Sequence, residues 1–282
     1  MTDPIQTLTR QPTKERSKAT RRPIKDAKNA HAASGNTERN VVKSLRRAMS
    51  ILEAIAASGR PLSVAELATS TGLARTTIHR IVQTLVSLAY LAQSAVDSRL
   101  TIGLRTLPLA ASALDTNRMR IEALPHLQVL AQRTGMRVNL GVLFDNQVMY
   151  LAGVEKPSLP TIYSRFGKMA PVHCCSLGKA ILAFLPKKDA LRTLAAWPLT
   201  RQTPNSITSM DRLLEDLEAT RTRGYAIDAE EHQPMTFCVA APIYDISYQL
   251  VGAVSISAGS ADAVLAEVGA VRHCAEQISH RP

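Results

Sequence analysis

"TGLARTTIHRIVQTLVSLAYL", residues 71–91, decides how the first third of this 282-residue chain folds. Ile78, Ile81, Val82, Leu85 and Leu88 recur at three- and four-residue steps, the period of one helix face. The opposite face carries Arg75, Thr76, Thr77, His79, Arg80, Gln83, Thr84 and Ser87, and no acid. A face rich in hydrogen-bond donors and free of carboxylates suits a polyanion. The residues upstream complete a motif. Leu45, Ala48, Met49, Leu52, Ile55 and Ala56 repeat at helical spacing, and "SGRP" closes that first helix. Ser63 opens a short second helix, with Glu66 three places on, as a capping box requires. "STG" at 70–72 reads as a tight turn whose Gly72 can take positive φ. Beyond the third helix, "YLAQ", a turn around "SAVDS" and "RLTIG" read as a two-stranded wing.

Three helices, the last two joined by a short Gly-containing turn, predict a winged helix-turn-helix over residues 41–103. Its third helix then enters the major groove of double-stranded DNA, N-terminal residues foremost. Arg75 is placed to donate to a guanine, and Thr76 or Thr77 to meet a thymine methyl or a phosphate. His79 and Arg80 follow on the exposed face, and Arg99 in the wing is placed for a phosphate or the minor groove. A plain helical subdomain with a solvated face shows the same periodicity. The turn, capping box, wing and missing acids together favour the DNA reading.

Charge distribution points the same way. Residues 1–43 hold 10 Lys/Arg against 4 Asp/Glu, and residues 44–105 hold 7 against 3. The other 177 residues are nearly balanced, 17 against 16. Clustered positive charge favours phosphate backbones through counterion release. Residues 1–40 are polar, basic and without periodicity, and read as a disordered tail. Residues 104–118 read as a linker helix with one apolar face (Leu104, Leu107, Ala111, Leu114) able to pair with a second copy or pack on the next domain. Residues 119–282 alternate helix and strand patterns. A helix ends at Gly135, a hairpin turns at Asp145-Asn146, and "TIYSRF" is a further strand. "SLGKAILAFLP" and "MDRLLEDLEATRTRGY" are helices. "AIDAEE", "FCVAAPIYD" and "LVGAVSISAG" are strands, and "ADAVLAEVGAVRHCAEQIS" closes the chain as a helix. Antiparallel strands with segregated helices define an α+β domain.

No apolar run approaches the ~18–20 residues needed to cross a bilayer, and no secretory signal pattern is present. The cysteines, Cys174, Cys175, Cys238 and Cys274, suggest no disulfide framework, so a cytoplasmic location is expected. His173, Cys174, Cys175 and Cys238 lack the spacing of a metal site, and no metal or other cofactor is expected. "LGKA" lacks the first glycine of a phosphate loop, since His173 stands there. Ser176 near His173 is the only hint of a nucleophile beside a base, with no Gly-x-Ser-x-Gly elbow behind it. An enzyme is therefore not expected.

Taken in order, "SLRRAMSILEAIA", "LSVAELATSTGLARTTIHRIVQTL", "PVHCCSLGKAILAFLP", "RTRGYAIDAEE", "CVAAPIYD" and "AVSIS" resemble the IclR family of bacterial transcription regulators over roughly residues 42–280. The resemblance implies a two-domain α+β chain: an N-terminal winged helix-turn-helix and a C-terminal GAF-like effector-binding domain. It implies a dimer or tetramer that binds a promoter and responds to a small metabolite, often a carboxylic acid. Carried over residue by residue, the effector site comprises Ser176 and Leu177 at a helix start, Asp228, Cys238, and Ser255 and Ser257 on one strand face. "HQPMTF" replaces the glycine usual before the pocket cysteine, "HCC" replaces small residues after His173, and "SISAGS" lengthens a turn. Ionised Asp228 would repel a carboxylate, so a ligand hydroxyl or a shared proton is expected there. Two alternatives remain: a constitutive DNA-binding protein with a non-responsive C-terminal domain, or a small-molecule-processing enzyme.

Overall fold

The computed structural model describes residues 42–154 and 167–279. The expected disordered tail and the "TIYSRF" strand lie outside the described residues. The chain divides into two compact units at Leu104/Arg105.

In the first unit, α1 (Lys43–Ser58), α2 (Val64–Thr71) and α3 (Arg75–Ser87) precede the wing strands β1 (Leu91–Gln93) and β2 (Leu100–Ile102). The wing is antiparallel, with Leu91 opposite Ile102, and Leu62 bridges to Leu100 at its outer side. Helix boundaries follow local chemistry. Gly59 and Gly72 end α1 and α2 in the left-handed region, at φ 64° and 69°, a conformation that glycine adopts without steric cost. Ser63 and Glu66 form a complete capping box: the Ser63 Oγ accepts from the Glu66 N–H at 3.2 Å and the Ser63 N–H donates to Glu66 at 2.8 Å. Ile51, Ile55, Leu67, Ile78, Val82, Leu85, Leu91 and Leu100 make the core. Three sequence expectations shift here. The buried stripe of α1 runs through Ile51 and Ile55, while Leu45 and Met49 stay exposed. Ser70 and Thr71 belong to α2 rather than to the turn. Leu88 caps α3 and is exposed.

The second unit opens with α4 (Thr106–Asp115), which buries none of its residues, and α5 (Arg118–Thr134). A six-stranded sheet follows in the order β5-β4-β3-β8-β7-β6, antiparallel at every pairing. Its strands are β3 (Arg137–Phe144), β4 (Gln147–Val154), β5 (Met169–Ala170), β6 (Ala226–Ala229), β7 (Phe237–Tyr244) and β8 (Leu250–Ala258). Between them run α6 (Ser176–Phe184), α7 (Lys187–Ala195) and α8 (Met210–Arg223). After β8 come α9 (Ala261–Ala266) and α10 (Val268–Ile278). Helices cover both faces. Val138, Leu140, Val239, Val254 and Ile256 pack with α5 and α10 on one side. Val148, Ala240 and Ala253 pack with α6, α7 and α8 on the other. Two differences from the sequence reading stand out. The closing helix is two helices broken at Glu267. Helix α7, anticipated by no strong apolar stripe, buries Ala190, Thr193 and Leu194.

Candidate functional site

On the first unit, Arg75, Thr76, His79 and Arg80 are exposed on α3, and Thr77 is half-buried. The N-cap, Ala74, makes no side-chain hydrogen bond, so the positive N-terminal end of α3 is not screened by an acid of its own. Thr76, Thr77 and Arg80 line an open groove shared with Ser44 and Arg47 of α1; Arg75 and His79 lie outside its lining. Arg99, expected to meet a phosphate or the minor groove, is engaged by groups of the protein itself. Its guanidinium donates to Glu66 Oε2 and to the Pro61 carbonyl, each at 3.1 Å, and lies 3.6 Å from Asp97. Arg99 thus ties the wing to the start of α2, and a phosphate contact there would compete with Glu66.

On the second unit, the six expected effector residues converge on one pocket. Ser176, Leu177, Asp228, Cys238, Ser255 and Ser257 all line it. Strand register explains the meeting: Asp228 pairs with Cys238, and Cys238 with Ser257, forming one row across β6, β7 and β8. Ser255 lies two residues along β8, opposite Asn139 of β3, so it shares a face with Ser257. The first turn of α6 closes the pocket. Cys175 caps that helix, its Sγ accepting from the Gly178 N–H at 3.4 Å and donating to the Pro171 carbonyl at 3.2 Å. Gly178 is required there, because a Cβ would lie 2.3 Å from the Val172 carbonyl oxygen. Asn139, Tyr150, Cys175, His232, Gln233 and Thr236 also line the pocket and were not anticipated. Asn139 was findable, as a polar residue on the pocket-side alternation of β3. The path of the 230–236 loop, which turns through positive φ at Glu230 and Met235, carries no such period. The cavity holds about 20 Å³, room for roughly one water.

Charge is concentrated beneath this pocket. Lys179 of α6 is fully buried, with Nζ 2.6 Å from Glu231 Oε1 and 3.0 Å from Asp216 Oδ2. Asp228 Oδ1 accepts from the Glu231 N–H at 2.7 Å. Burial pushes the Asp228 carboxyl up to about 7, partly opposed by that hydrogen bond, and pushes Glu231 upward as well. A group titrating near neutrality can share a proton with an incoming acid, which eases the repulsion expected of an ionised Asp228. Burial also raises the thiols of Cys174 and Cys175, the latter to about 12, so both are uncharged and poor nucleophiles. Among the described residues, no three His, Cys, Asp or Glu side chains group as metal ligands. No described helix is long and apolar enough to cross a membrane.

A winged helix-turn-helix with an acid-free exposed helix, carried on one chain with a pocket-bearing antiparallel domain, has the build of a DNA-binding regulator. Comparison with known proteins says which kind. The family model described as "IclR helix-turn-helix domain" matches residues 44–95, and "Bacterial transcriptional regulator IclR C-terminal" matches residues 111–280. The chain belongs to the IclR family, and is a helix-turn-helix transcriptional regulator of that family. It is 33% identical over 247 residues to the glycerol operon regulatory protein of Streptomyces coelicolor, covering 84% of this chain and 95% of that protein. It superposes on an IclR transcriptional regulator from Alicyclobacillus acidocaldarius with TM-score 0.73 and 27% identity, covering 85% of this chain and 98% of the other. An IclR homolog from Microbacterium hydrocarbonoxydans complexed with 4-hydroxybenzoate matches with TM-score 0.67 and 25% identity, over 84% and 97% of the two chains. The family consists of transcriptional regulators rather than enzymes.

Proposed function

We propose that this regulator's promoter binding is modulated by a small carboxylic acid held in the pocket between α6 and strands β6 to β8. The observation that carries this is the convergence of Ser176, Leu177, Asp228, Cys238, Ser255 and Ser257 on one pocket from four separate chain segments. The carboxylate meets the N-terminal end of α6, where Ser176 and Leu177 precede any intrahelical acceptor. Ser255 and Ser257 bond its polar edge, and Asp228 takes a hydroxyl or a shared proton. The relative that holds 4-hydroxybenzoate, an acid with a hydroxyl at its far end, has the pair of groups this arrangement suits. A cavity of about 20 Å³ admits no such molecule without opening. An arrangement with an opened pocket would be favoured by the acid only as far as its affinity for the two arrangements differs, and that difference would set the effector response. Arg75, Thr76, Thr77, His79 and Arg80 read the operator, and two copies meet through exposed α4 to span two half-sites. The domains in this reading are the winged helix (41–103), the linker helix (104–118) and the sensor (119–282), acting in the cytoplasm.

Titrating the protein with 4-hydroxybenzoate and small aliphatic acids while following operator affinity tests the reading. We expect at least one acid to change operator affinity saturably. The Ser255→Ala/Ser257→Ala double variant should blunt that response and leave effector-free operator binding intact. An unchanged response in the double variant removes the two serines as ligands. Acid turnover would instead favour an enzyme, and absence of any binding a constitutive DNA-binding protein.

A further inference from the structure

The second unit contains a larger cavity that shares no lining residue with the effector pocket. It lies among the β3–β4 turn, the segment leading into α6 and the end of α7, and holds about 200 Å³. A 150 Å³ apolar cavity is enough to bind benzene. Its walls are mainly apolar and include Val172, Leu194, Trp197 and Leu199. Trp197 is half-exposed and donates its indole N–H to the Asp145 carbonyl at 3.2 Å, which ties the α7–α8 connection to the hairpin turn. One buried polar ring lines this wall. His173 is 2% exposed, and its Nε2 lies 3.0 Å from the Thr200 carbonyl oxygen. A carbonyl only accepts, so Nε2 carries the proton. Burial lowers the imidazole's proton affinity and keeps the ring neutral, which leaves Nδ1 as a lone-pair acceptor. His173 makes no other hydrogen bond among the described residues. An apolar cavity of ring size beside a buried acceptor suits one class of molecule.

We propose that this cavity is a second ligand site, taking a small neutral aromatic with one hydrogen-bond donor, with its ring against Leu194 and Trp197 and its donor on His173 Nδ1. Phenol is the simplest such probe. The site is independent of the effector pocket in its walls but not in its framing. Val172 and His173 run directly into Cys175 and Ser176, and Val172 packs against the backbone of Gly178.

Trp197 is the only tryptophan of the chain, so its emission reports on this cavity in the intact protein. Phenol should change that emission saturably, equally in the wild type and in Ser255→Ala/Ser257→Ala. Leu199→Phe, which fills the cavity, should abolish the response while thermal melting shows that it folds. In the wild type, ring protons of bound phenol should lie close to the Trp197 indole in nuclear Overhauser spectra, a reading that needs no variant. Benzene, lacking a donor, should bind about fivefold more weakly, the worth of one modest hydrogen bond. No saturable change in the wild type overturns the proposal. So does a response lost in the double serine variant but kept in Leu199→Phe, which would put phenol in the effector pocket. Benzene binding as tightly as phenol overturns the role of His173.

Discussion

Asp228 is a pocket side chain whose titration is strongly displaced. Its carboxyl is held near 7 by burial against an ordinary value of 3.8. A raised folded-state value means the folded form binds the proton more tightly than the unfolded form. Its stabilising contribution is therefore complete below about pH 4 and lost as pH rises through about 7. Asp228→Asn keeps an oxygen for the Glu231 N–H and removes the titration. We expect melting midpoints of the variant to fall less than those of the wild type between about pH 4 and pH 7, by an amount worth a few kcal/mol at most. Parallel profiles would show that Asp228 is ionised throughout. In the first unit, Arg75 is the residue proposed to read a base. Arg75→Ala should cost about 1–3 kcal/mol of specific operator binding for a bidentate guanine contact, and a wild-type gel-shift affinity would remove that role. At the residue scale the sequence made position legible where a period or a family motif sets it, as at Ser255 and Ser257, which line one pocket. The inward turn of Arg99 was not legible, because the partner that draws it in, Glu66, is 33 residues away in the chain. His232 and Gln233 were hidden for a similar reason: the loop that carries them is shaped by tertiary contacts.

Among the elements, α6 carries the most consequence. Its first turn faces the pocket proposed for the effector, its buried Lys179 holds Glu231 and Asp216, and its apolar residues fill the core on that side of the sheet. The helix can sit so close only because position 178 has no side chain. Gly178→Ala would force backbone apart from backbone, which a rotamer change cannot relieve. We expect a loss of 3 kcal/mol or so, at the upper end for overpacking, seen as a melting midpoint lower by about 6–12 °C for a unit of this size. A midpoint within about 2 °C of wild type would mean that the Val172 segment yields freely. Elements with a strong period were legible: α3, the wing, the β3–β4 hairpin and β8. Helix α7 was not, since its inward side is made of Ala190, Thr193 and Leu194, a weak apolar signal. The break at Glu267 was not, since the apolar spacing continues through it. On α1 the apolar pattern was real, but the packing used Ile51 and Ile55 and left Leu45 and Met49 exposed.

For the whole molecule, charge asymmetry sets the behaviour in salt. Residues 1–105 carry nearly all the net positive charge, whereas the 177 that follow carry 17 Lys/Arg against 16 Asp/Glu. If two copies bind the operator as proposed and each makes two phosphate contacts, affinity should fall about a hundredfold over a fourfold rise in salt. Effector affinity, if set in the proposed pocket away from the basic first unit, should change by less than about twofold over the same range. Equal salt dependence of both would contradict this division of labour. The sheet of the second unit adds a consequence of its own. Along β8, Val254 and Ile256 point into the core while Ser255 and Ser257 point into the pocket. Because neighbours on one strand answer to different demands, lineages can drift in chemical taste at every other position while the scaffold beneath stays constant. A single architecture can thus diversify across many metabolites.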